Sequence, residues 1–131
     1  MYLPYSRNTN AILIFMNTYT GGCHCGAVKY EVDTTLEHVI SCNCSLCAKR
    51  GWLLTFVAPT HFRLKSGEDN LTDYQFNTKK IHHLFCKTCG TASFGRGSDG
   101  EGNEMISINV RCLEGIDPDT LPTSQFDGKN A

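Results

Sequence analysis

A chain of 131 residues with 40% hydrophobic content and a formal net charge of −1 has the make-up of one globular domain with a real core, not of a disordered segment. Eight cysteines in that length demand an explanation, and zinc held by one set of four and one set of three thiolates would carry the charge to about −4. A mildly acidic domain is a poor binder of phosphate backbones, so nucleic acid is not an expected partner.

Residues 1–18 read as an N-terminal extension and residues 19–131 as a single domain. Met16 is a candidate native start, because the patterned sequence begins close to it; mass spectrometry of the native protein distinguishes it from Met1. The apolar run Ala11 to Met16 is shorter than a signal-peptide core and far too short to span a membrane, and no small-residue cleavage site follows it. A reducing cytoplasm is the expected compartment.

Short strand-like runs follow. Ala27 to Val32 alternates Val28, Tyr30 and Val32 against Lys29 and Glu31. Trp52 to Ala58 is nearly continuously apolar and predicts a strand buried on both faces. His61 to Lys65, Leu71 to Phe76, Ile81 to Phe85, Thr91 to Phe94 and Met105 to Val110 read as further strands. A short helical turn is expected at Ser45 to Arg50. Gly95-Arg96-Gly97 reads as a hairpin or loop, and Asp117-Pro118-Asp119 as a turn. Lys79, Lys80, His82 and His83 read as a solvated strand end. The expected fold is mostly β, with metal knuckles between strands.

The cysteines fall into Cys23-His24-Cys25, Cys42-Asn43-Cys44-Ser45-Leu46-Cys47, Cys86-Lys87-Thr88-Cys89 and a lone Cys112. Close pairs favour chelation of one ion over the bridging of distant loops. A Cys-x-x-Cys knuckle followed by Gly90 supplies two ligands, and Cys23 with Cys25 is the other isolated pair. Together they make a closed four-thiolate zinc site that staples the N-terminal strand to the middle of the chain. Cys42, Cys44 and Cys47 remain, and three thiolates on one loop can hold a second zinc with its fourth position open. Such a position can take an incoming thiol as thiolate, which points to chemistry. A loop with only three ligands is also expected to lose part of its zinc more readily. Cys112 reads as a buried apolar residue, with closure of the second site as the alternative. His24 alternates away from its flanking cysteines if the segment is extended. The other histidines lack metal-like spacing, and Lys49, Arg50 and Arg111 read as surface charge.

The runs Gly21 to Val28, Cys42 to Cys47 with Gly51, Phe85 to Gly90, and Asn109 to Leu113 resemble the glutathione-dependent formaldehyde-activating enzyme family over roughly residues 19 to 117. The resemblance implies a mostly β fold like that of zinc-containing methionine sulfoxide reductases. It implies a structural zinc on Cys23, Cys25, Cys86 and Cys89, and a functional zinc on Cys42, Cys44 and Cys47. It implies a carbon–sulfur lyase that condenses glutathione with formaldehyde to S-hydroxymethylglutathione, with a small thiol and an aldehyde as partners. The alternative is a non-catalytic zinc domain that carries glutathione or binds a protein.

Overall fold

The computed structural model describes residues 16–130. The expectation for Ala11 to Phe15 lies outside the described residues. The architecture is mostly β: β1 (Asn17–Gly22), β2 (Lys29–Thr34), β3 (Val39–Cys42), helix α1 (Ser45–Arg50), β4 (Leu54–Val57), β5 (Phe62–Ser66), β6 (Leu71–Tyr74), β7 (His83–Cys86), β8 (Phe94–Ser98), β9 (Glu104–Asn109) and β10 (Thr123–Phe126). β1, β2 and β5 form a three-stranded sheet in the order β1-β2-β5. A five-stranded sheet runs β10-β3-β4-β9-β8, and β6 pairs with β7. β10 lies parallel to β3 with Phe126 opposite Cys42. No helix among the described residues is long and apolar enough to cross a membrane.

The alternation from Val28 into β2 buries Val28, Tyr30 and Val32 toward the core while Lys29 faces water, as a strand covered on one face requires. Three aromatic rings lock the two larger sheets together. Tyr30 lies 5.1 Å from Phe62 and 5.7 Å from Phe94, and the Phe62–Phe94 separation is 4.8 Å. The tilted and edge-on arrangements match the attraction between ring edges and faces. The Tyr30 hydroxyl donates to the Ser93 carbonyl at 3.0 Å, so the one polar atom of this buried ring is satisfied.

Two sequence-based expectations need correction. β4 is covered on both faces as expected except at Phe56, which is 43% exposed while Leu54, Thr55 and Val57 are buried. An apolar run alone does not say where its cover ends, and here the cover that packs Leu54 against Cys47 and Trp52 stops short of Phe56. Gly95-Arg96-Gly97 is strand rather than loop, paired with β9. A Cβ on Gly95 would sit 2.8 Å from Ser107 Oγ and 2.9 Å from the His82 carbonyl. Its glycine therefore marks a close approach of chains, not a turn. Asp117 does cap a short turn, its carboxylate accepting from the Asp119 amide at 3.1 Å. β1 starts at Asn17, inside the segment read as an extension.

Candidate metal centres and thiol site

The turn after β1 carries Cys23 and Cys25, and the end of β7 with the turn after it carries Cys86 and Cys89. Their four sulfurs lie within 4.8 Å of one another. Cys25 Sγ is 3.7 Å from both Cys23 Sγ and Cys86 Sγ. Tetrahedral Zn–S bonds of about 2.3 Å place neighbouring sulfurs about 3.8 Å apart, so the donor set fits a zinc ion. Gly26 and Gly90 close the two turns with φ of 87° and 81°, a region where side chains are strained. Amides point at the sulfurs: Val28 N–H donates to Cys23 Sγ at 3.2 Å and Thr88 N–H to Cys86 Sγ at 3.4 Å. The Asn70 side-chain amide adds a 3.2 Å bond to Cys86 Sγ. The Thr91 hydroxyl and amide lower the Cys89 thiol to about 5. Hydrogen bonds to the charged form favour it, whereas the Cys25 thiol of the same site is pushed up to about 11 against a lowering backbone hydrogen bond at Ala27, with burial and its neighbouring sulfurs raising it.

The second cluster sits between β3 and α1. Cys42 ends β3, Cys44 caps α1, and Cys47 lies in its first turn. The three sulfurs are within 4.8 Å of one another, and no other His, Cys, Asp or Glu among the described residues joins them. The helix expected at Ser45 to Arg50 has these same limits. Its cap explains the spacing: the Cys47 amide donates to Cys44 Sγ at 3.3 Å, and the Cys44 amide donates to Cys42 Sγ at 3.4 Å. The thiolates thus satisfy amides that a helix start leaves open. The donor set is soft and close enough for a metal ion such as zinc, with three ligands rather than four. Burial pushes the Cys47 thiol up to about 12, while the Trp52 indole acts against that rise. The indole N–H lies near Cys47 without completing a hydrogen bond.

Cys112 joins neither cluster. It sits on the side of the four-cysteine site, where burial first, and then the charges of Cys23 and Cys89, push its thiol up to about 11. His24 is exposed and outside both groups. Of the cations read as surface charge, Lys49 and Arg111 are exposed. Arg50 is not: its guanidinium carbon lies 4.9 Å from the Trp52 ring centre and 5.8 Å from that of Phe85. A concavity of about 670 Å³ around Phe56, His61 and Met105 contains none of the cysteines.

Sequence reasoning missed the C-terminal tail. Asn43, between two cysteines of the second cluster, is gripped by it on three sides. The Asn43 amide donates to the Phe126 carbonyl at 3.2 Å. Its side chain donates to Asp127 at 2.9 Å and accepts from the Lys129 amide at 3.0 Å. Gly128 lies so near that a Cβ there would be 2.4 Å from Cys42 Sγ. The only sequence signal was a glycine in a polar stretch, which is indistinguishable from an ordinary turn.

A Rhodobacter sphaeroides protein of known crystal structure is similar to this chain, with 34% identity and a TM-score of 0.73, the match covering 82% of this chain and 99% of that one. The profile described as glutathione-dependent formaldehyde-activating enzyme matches residues 18–126, past the region where the cysteine motifs end and through β10. With both cysteine clusters and the β10 segment inside one matched span, the chain belongs to the glutathione-dependent formaldehyde-activating enzyme family.

Proposed function

We propose that this protein is a carbon–sulfur lyase acting in the synthetic direction, joining glutathione to formaldehyde at the site of Cys42, Cys44 and Cys47. The observation that carries the reading is a cluster of three thiols with no fourth protein ligand among the described residues, in a chain of this family. Cys42, Cys44 and Cys47 would hold a zinc ion, which lowers the pKa of an added thiol from its free value of about 8.5. The Cys44 and Cys47 amides spread the negative charge of the set. The glutathione sulfur attacks the aldehyde carbon and a C–S bond forms. The carbonyl electron pair moves to oxygen, which takes a proton from solvent. Cys23, Cys25, Cys86 and Cys89 hold a structural zinc in this reading. A reducing cytoplasm would keep all these thiols free.

A domain that carries glutathione without catalysis would use the same cluster. The form with two closed four-thiolate sites loses support, because Cys112 is beside the other centre. Zinc stoichiometry with and without glutathione, followed by NMR exchange of the formaldehyde adduct, tests the enzyme reading. Faster exchange with the protein than with buffer is expected. If glutathione neither perturbs a bound zinc nor speeds exchange, the reading fails.

A further inference from the structure

Arg50 occupies an unusual setting for a helix-terminal cation. Its guanidinium stacks on Trp52 and Phe85. Trp52 packs in one apolar cluster with Cys47, against which Cys42 and Cys44 also pack. The Nη1 atom of Arg50 is buried and has no hydrogen-bond partner among the described residues. Arg63 pairs with Glu31 and Asp33, and Arg96 approaches Glu104; among the described residues no carboxylate is paired with Arg50. Cys47, Tyr74 and His83 lie close enough for their charges to act on it. Phe76 and His83 stack beside Tyr74, with ring centres 5.2 Å from each other.

A buried guanidinium N–H without an acceptor is costly, more so than a neutral group would be. The fold therefore leaves a guanidinium donor without a protein acceptor among the described residues, beside two aromatic rings. Guanidinium forks match carboxylates in geometry. Formaldehyde has no anionic group, whereas glutathione has two carboxylates.

We propose that Arg50, seated on Trp52 and Phe85, is the anchor for a carboxylate of the thiol substrate, and so selects peptide thiols over neutral ones. This rests on the reading of the three-cysteine cluster as a thiol site. The anchor sets affinity, and the neighbouring thiolate cluster does the chemistry. The Phe85 wall belongs to β7, whose last residue is Cys86. The four-cysteine centre therefore fixes one side of the anchor.

Cobalt(II)-loaded protein provides the test, because the thiolate-to-metal absorption band reports a thiol arriving at the ion independently of turnover. Titrations compare glutathione with its diethyl ester and with 2-mercaptoethanol. The expected result is an affinity for glutathione at least about tenfold above that for the ester, with that preference lost in Arg50→Gln. Arg50→Lys keeps the charge without the fork and should retain part of the preference, which guards against misfolding of the Gln variant. Equal binding of acid and ester by the unmodified protein overturns the anchor while leaving the thiol site intact. An equal loss for all three thiols in Arg50→Gln also overturns it, because Arg50 would then act on the metal cluster alone. No response to any thiol overturns both readings.

Discussion

At Cys47, helix α1, the Trp52 cluster and the thiolate set meet. The residue is 9% exposed and packs with Trp52 and Leu54, so replacing it removes a sulfur but little volume. Cys47→Ala is expected to lose about one zinc per chain and the adduct-exchange activity, at a stability cost of about 1–2 kcal/mol. Elemental analysis and circular dichroism check this, and wholesale unfolding of the variant counts against the division of labour between the two centres. Gly128→Ala is the sharper probe. The new methyl would fall 2.4 Å from Cys42 Sγ, a distance that forces the tail or the cysteine to move. Zinc should leave the second cluster faster, with the four-cysteine site unaffected, as followed by a chromogenic zinc-release assay. Unchanged release would mean that the tail yields instead.

At the scale of elements, β10 holds the second cluster from outside its own loop. Parallel pairing with β3 brings Phe126 opposite Cys42, and the Asn43 side chain ties the chain beyond it. Asn43→Ala removes both side-chain bonds and should loosen the tail by about 1 kcal/mol. Amide exchange at residues 123–130 should speed up while that of β9 stays constant. The surface of the three-stranded sheet gives a separate, pH-dependent case. Arg63 grips Asp33 through two bonds of 2.9 and 3.0 Å. That pairing, with help from Thr18, holds the Asp33 carboxyl well below the usual range. A depressed carboxylate stabilises the fold above its unfolded pKa of about 3.9, and this is lost as pH falls toward the folded value. Asp33→Asn should therefore lower Tm at neutral pH, with the gap to the parent closing below about pH 4. The pair is exposed, so the gap should be small and shrink with added salt.

For the whole molecule, the four-cysteine centre joins the turn after β1 to the end of β7, drawing together segments more than 60 positions apart. Metal bound there would act as folding free energy. A strong chelator should remove metal in two phases. The first, from the three-cysteine cluster, leaves the sheet signal intact; the second unfolds the chain. Loss of secondary structure in the first phase would show that the centres are not independent.

Much of this organisation is legible in the sequence. The cysteine spacings divide eight thiols into sets of four, three and one, because knuckle turns are local and their ligands sit within a few residues of each other. The limits of α1 follow from the same loop, where Cys44 caps what Ser45 begins. Tertiary structure alone decided the remainder. The exposure of Phe56, the close approach that makes Gly95 a strand residue, the tail over Cys42 and the seat of Arg50 all depend on what packs from elsewhere in the chain. Arg50 next to Lys49 looks like any solvated helix end until Phe85 arrives from β7 to cover it. Sequence periodicity reports which side of an element is apolar. Only the folded arrangement reports what lies against it, and here that sets Arg50 on Trp52 and Phe85 beside the three-cysteine cluster.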